Sequence, residues 1–153
     1  SDLLQALNEH KPHVVHFSGH GLSTGDIVFQ SDDGSTKPIT PDAIAATMST
    51  MIDNIRLVIF NACFSEAQAK AVTLYVDAAI GMSINISDDS ARAFAAQFYS
   101  AIGFGRSIKN AFEQAKTILL LEGIPEEDTP ELFTREDIDP HEVILVRPSS
   151  YEA

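Results

Sequence analysis

Three observations in this 153-residue chain predict an α/β fold, a three-layer α/β/α sandwich around a mostly parallel sheet. Segments of strand character alternate with segments of helical periodicity. The run Leu57-Val58-Ile59-Phe60 is apolar at every position, as in a strand buried on both faces of a parallel sheet. Residues with chemistry to offer follow such runs directly: His16-Phe17-Ser18-Gly19-His20-Gly21 closes Val14-Val15, and Asn61-Ala62-Cys63 closes the second run. In open α/β sheets, reactive groups gather at the carboxyl ends of the strands.

The elements follow in order. Residues 2–10 form a helix, with Leu3, Leu4 and Leu7 on one stripe, and Lys11-Pro12 stops it. A strand covers about 13–17. A hairpin pairs 26–30 with 36–39 around the Asp33-Gly34 turn signal, and Pro38 places it at an edge because proline cannot donate to a ladder. Thr40-Pro41-Asp42 opens a helix whose apolar face is Ile44, Met48, Met51 and Ile52, ended by Asp53-Asn54. After the strand at 57–60, residues 65–72 form a short alanine-rich helix. A third strand runs near 78–86, where Gly81 marks a close backbone approach or a bulge.

Ser87-Asp88-Asp89 caps a long helix carrying Ala91, Phe94, Ala95, Phe98 and Ile102 at helical spacing. Gly103 and Gly105 end it. A second helix restarts at Arg106-Ser107 and buries Ile108, Ala111, Phe112, Ala115, Ile118 and Leu119. The acid-rich segment 122–142 reads as a solvated loop, and Val143-Ile144-Leu145-Val146 as a final strand shut off by Pro148.

Composition narrows the function. The length fits one domain with a single core, and 44% hydrophobic with 21% charged residues is ordinary for a globular protein. A formal charge of −12 with no Lys/Arg cluster argues against a nucleic-acid partner. No apolar run approaches the roughly 18 residues of a membrane span, and no basic leader precedes an apolar stretch, so the expected setting is the cytoplasm without a membrane partner. A single cysteine forbids an internal disulfide and fits a reducing compartment.

Cys63 and His20 are the candidate nucleophile and proton carrier. A thiol between a strand and a helix start, close to an imidazole, favours the thiolate. Gly19 and Gly21 let the backbone turn sharply beside His20. The amides of Gly21 and Cys63 are the candidate oxyanion donors. The bland reading of Cys63 is a small buried hydrophobe. Asn61 breaks the apolar run just before it, and a strand-to-helix junction is seldom core. A metal site is not expected: His13 and His16 of the series His13, His16, His20 point to opposite faces of a strand. His13 is expected at the surface and His16 in the core. No cofactor is implied.

The stretch His16–Gly21, then Asn61-Ala62-Cys63-Phe64-Ser65-Glu66-Ala67, then Ile80-Gly81-Met82 with Ile86-Ser87-Asp88, resembles the CHAT domain of bacterial caspase-like cysteine peptidases, relatives of caspases, metacaspases and separase. Ala93-Phe94, Phe98-Tyr99, Gly105-Arg106-Ser107 and Ala111-Phe112 look like the helical half of the same family, so the likeness runs from Leu3 to about Leu121. It implies a caspase-hemoglobinase fold with a His20/Cys63 dyad. It also implies that the segment after the third strand borders the substrate's P1 pocket and that a basic P1 residue is received by Asp88 or Asp89. An extended peptide or protein substrate is expected to pair with the backbone of Ser83, Ile84 and Asn85 to Ile86, as peptides add to exposed strand segments. The competing role for those two acids is helix capping. The family's setting is an effector or signalling module switched by attached sensor domains.

Such domains carry further strands ahead of the His strand. Either residues 1–153 are the major, C-terminal part of a larger domain or protein, or another chain completes the sheet in a homo-oligomer, because an open edge leaves backbone groups unpaired. A catalytically inactive scaffold of the same fold is the alternative to a peptidase.

Overall fold

A computed structural model describes residues 2–24, 26–30 and 36–147. The chain divides into two compact units, Ser1–Asn85 with Glu131–Glu136, and Ile86–Pro130 with Asp137–Ala153.

The first unit is built on a four-stranded sheet. Its strands are β1 (Val14–Ser18), β5 (Leu57–Asn61), β6 (Ala78–Met82) and β7 (Pro130–Thr134), in the spatial order β1-β5-β6-β7. The β1–β5 and β5–β6 pairs are parallel, with Val14 opposite Leu57, Ser18 opposite Asn61 and Leu57 opposite Ala78. The Arg135 N–H donates to the carbonyl of Asp77, the residue before β6, at 2.9 Å. β7 therefore runs against β6 and brings Glu131 to the carboxyl end of that strand. The α/β class with a mostly parallel sheet is as the sequence predicts.

One face of this sheet, with Val15, Phe17, Val58, Phe60 and Ala79, shares a core with Leu7, Ile44, Met48, Ala69 and Val72. Those partners come from α1 (Asp2–His10), α2 (Pro41–Ser49) and α3 (Glu66–Val72). Phe17 and Phe60 are register neighbours, and their rings stack at 5.2 Å and 9°. On the alternate positions Leu57, Ile59 and Ile80 are also buried, so β5 is apolar on both faces as read. Thr40 caps α2 through its hydroxyl, accepting from the Ala43 N–H, and Pro41 takes the first helical position. That helix ends at Ser49, which leaves Ile52 outside its apolar face and exposed. Leu7 enters the core while Leu4 stays partly in solvent.

A separate three-stranded antiparallel sheet joins β2 (His20–Gly21), β3 (Ile27–Gln30) and β4 (Thr36–Ile39) in that order. Pro38 lies on β4, at the end of the order, as its missing N–H requires. The Asp33-Gly34 turn falls outside the described residues.

In the second unit, α4 (Asp88–Gly103) and α5 (Ile108–Leu121) pack as a helical hairpin. Phe94 stacks on Phe98 at 6.2 Å and meets Phe112 edge-on at 5.8 Å. Ser87 and Ser107 cap the two helices, each hydroxyl accepting from the N–H three residues on. Gly105 adopts φ 89 at the turn between them.

Three expectations are corrected. Val143–Val146 is not a strand: Val143 is buried, and its carbonyl accepts the Ile108 N–H at 2.9 Å at the start of α5. The acid-rich segment is not wholly a loop, because β7 lies within it. The third strand stops at Met82, and the chain bends at Ser83 and Ile84. Pro148 lies outside the described residues. Among the described residues, no helix is long and apolar enough to cross a membrane.

Candidate active site

The site is laid out by the register of two parallel strands. Ser18 at the end of β1 lies opposite Asn61 at the end of β5. His20 and Cys63 each stand two residues beyond that pair, so the fold carries both past the same edge of the sheet. The described part of His20 is its backbone, in β2. The next residue, Gly21, rests against Cys63: a Cβ on residue 21 would overlap the Cys63 carbonyl, so only glycine fits. The glycines beside His20 are expected from the sequence to let the backbone approach a ligand; the group that Gly21 approaches here is the backbone of the Cys63 turn.

The β2–β3 ladder fixes where the Gly21 amide faces. The Leu22 N–H donates to the Asp26 carbonyl at 2.9 Å, so the neighbouring Gly21/Ile27 pair is the non-hydrogen-bonded one. The Gly21 N–H thus turns away from β3.

Cys63 is half-buried and sits in a tight strand-to-helix turn. The next residue, Phe64, has φ 57, a left-handed conformation that costs a bulky side chain roughly 1–3 kcal/mol. Its N–H donates to the Ile84 carbonyl at 3.4 Å, which ties the turn to the 83–85 segment. Ser65 follows and is fully buried. Its hydroxyl lies 2.7 Å from the Ala62 carbonyl and 3.2 Å from that of Phe60, and it accepts the Met82 N–H at 3.0 Å. At sequence level Ser65 reads as a helix start; its side chain caps nothing in α3. No local signal in the sequence singles it out, because its Met82 partner lies on β6, 17 residues away. Gly81, flagged as a close approach, meets this same turn: a Cβ there would stand 2.7 Å from the Ser65 carbonyl and 2.8 Å from the Ala69 Cβ.

Glu66, the first residue of α3, shares a hydrogen bond with Glu131 of β7. Desolvation, then the Glu66 charge and this hydrogen bond, hold the Glu131 carboxyl above its ordinary value of 4.5. Neither acid is singled out by the sequence, because their 65-residue separation is bridged only by the return of β7 to the sheet.

The remaining candidates are distributed as follows. Ser83 is half-buried, while Ile84 and Asn85 are exposed just beyond β6. Asp88 and Asp89 are exposed in the first turn of α4, in the second unit. Asp89 pairs with Arg92 at 2.6 Å, and Ser87, not Asp88, is the N-cap. His13 is exposed, with Nδ1 3.0 Å from the Asn54 carbonyl. His16 is exposed on β1 and not in the core; the protein around it still desolvates the ring enough to draw its pKa below 6.5. Among the described residues, no three His, Cys, Asp or Glu side chains gather as metal ligands.

A family model described as "CHAT domain" matches residues 1–131. A curated protein, a Roc-COR-CHAT protease from an unknown prokaryotic organism, is 23% identical over 124 residues, covering 77% of this chain. The matched region is 12% of that protein's length, so the chain corresponds to a small part of this relative.

Proposed function

We propose that this chain, which belongs to the CHAT domain family, is a caspase-like cysteine endopeptidase with Cys63 as nucleophile and His20 as proton carrier. The observation that carries the reading is the shared offset of the two residues: each follows the Ser18/Asn61 register pair by two positions, with Gly21 seated on the Cys63 backbone. A relative named as a protease supports the reaction class.

In this mechanism His20 takes the thiol proton, and the Cys63 sulfur attacks the scissile carbonyl carbon. The Gly21 and Cys63 amides stabilise the oxyanion. Collapse of the tetrahedral intermediate breaks the C–N bond, and His20 returns its proton to the leaving amine. Water, deprotonated by His20, then cleaves the thioester and regenerates the thiol. The substrate backbone runs along Ser83–Asn85, as peptides do when they add to strand-end segments. Preference for a basic P1 residue is assigned to Asp88, because Asp89 is engaged by Arg92. The domain acts in the cytoplasm as the effector part of a longer prokaryotic protein whose other domains sense the signal.

The test is a P1-scanned fluorogenic peptide library on the full-length protein, with Cys63→Ala as control. Turnover that depends on Cys63 is expected. Cleavage that survives Cys63→Ala ends the reading.

A further inference from the structure

We infer that Ser65 is a positioning residue for the nucleophile: its buried hydroxyl holds the Cys63–Phe64 turn in the conformation that sets where the thiol and the Cys63 amide stand. The inference rests on the reading of Cys63 as nucleophile.

The hydrogen bonds of Ser65 enclose the residue in question. The carbonyls of Phe60 and Ala62 lie before Cys63, and Ser65 lies after it, so the hydroxyl closes a short loop around Cys63 and Phe64. A hydroxyl has one hydrogen to donate; the 2.7 Å contact to Ala62 takes most of it, and Phe60 at 3.2 Å takes the weaker share. Its lone pair accepts the Met82 N–H at the end of β6, which anchors the loop to the neighbouring strand. One buried oxygen therefore joins the carboxyl ends of β5 and β6 through the turn that carries the thiol.

An ordinary helix cap would spend the hydroxyl on α3, and here no such bond is made. What the hydroxyl faces instead is a turn with an aromatic residue at φ 57. Left to itself, Phe64 relaxes toward negative φ, and that rotation swings the peptide it shares with Cys63. The Ser65 bonds oppose the rotation. Gly81 contributes by omission, since any side chain there would press on the Ser65 carbonyl.

The role is separable from simple structural support because it acts through residue 64. Glycine at 64 takes a left-handed φ without penalty, so the hydroxyl has less to enforce in that background. The experiment compares wild type, Ser65→Ala, Phe64→Gly and the double variant in the full-length protein, with folding followed by circular dichroism. Ser65→Ala should lower kcat about tenfold or more while KM stays within about twofold, as for a displaced reacting group. In the Phe64→Gly background the same change should cost about threefold or less, a non-additive pair. An equal loss in both backgrounds, no loss in either, or a loss confined to KM overturns the inference.

Should Ser65→Ala not fold, the comparison of Phe64→Gly with the double variant decides alone. A folded double variant within about threefold of Phe64→Gly supports the role, and an unfolded or much weaker one overturns it. Should wild type cleave no peptide, the peptidase reading fails separately. Iodoacetamide alkylation of Cys63, the one cysteine of the chain, then supplies the rates for the same four-way comparison.

Discussion

The backbone of Gly21 lies against the carbonyl of Cys63, closer than a side chain at position 21 allows. The glycine is thus a spacer between the His20 strand and the thiol turn. Gly21→Ala must displace backbone, which has no rotamer to escape into. The expected outcome is a loss of about 1–3 kcal/mol of stability, typical of overpacking, together with loss of Cys63-dependent turnover. Thermal unfolding and kcat measured on the same preparation check it; a variant with native activity removes Gly21 from the site.

Phe60 is fully buried and stacked on Phe17. Phe60→Ala deletes a ring from the centre of the sheet and leaves a cavity that stiff strands cannot fill. A loss of about 3–5 kcal/mol is expected in urea unfolding. A loss below about 1 kcal/mol would mean that the core around β5 collapses freely.

Asp88 and Asp89 separate two explanations of the same acidic turn. Asp89 forms an exposed pair with Arg92, and such pairs contribute at most about 1 kcal/mol. Asp88→Ala is expected to raise KM for Arg or Lys at P1 by about tenfold, the scale of one lost charged contact, while Asp89→Ala leaves it nearly unchanged. Both variants should keep the wild-type melting temperature within a few degrees, because Ser87 does the capping. An unchanged P1 profile in both moves the specificity pocket elsewhere.

Glu131 links stability to pH. Its folded pKa is raised above 4.5, so the native state holds a proton that the unfolded chain has released. Its stabilising contribution is complete below pH 4.5 and is lost as pH rises through the elevated folded value. Glu131→Gln keeps a neutral partner for Glu66 and should flatten the stability profile just above pH 4.5. Denaturant unfolding of both proteins across pH 4 to 7 checks this; parallel profiles would falsify the shared-proton picture.

What the sequence disclosed divides by range. Local chemistry was readable: Thr40, Ser87 and Ser107 stand before helices and each caps by its own hydroxyl. The unbroken apolar run at 57–60 identifies β5, and the strand ends single out Cys63 and His20 as candidates. Non-local partners were not readable. β7 opens with a proline and carries Glu131, so nothing in its letters alternates like a half-buried strand. Val143–Val146 has strand-like letters, yet its first carbonyl is taken by α5, and no ladder forms there. The Ser65 hydroxyl looks like any helix-start serine until β6 lies alongside. His16 reads as a core residue of its strand, whereas it occupies an exposed position of β1 between buried Val15 and Phe17.

The interrupted first unit governs how this protein is made. Residues 131–136 belong with residues 1–85, although residues 86–130, which belong to the second unit, come between them in the chain. A ribosome delivers the thiol, the imidazole and three strands of the sheet long before the fourth. Until that last strand emerges, the far side of β6 is a raw ladder edge, open to pairing with any other nascent chain. Completion of the sheet waits on a late, long-range closure, which slows folding through the entropy of the intervening loop.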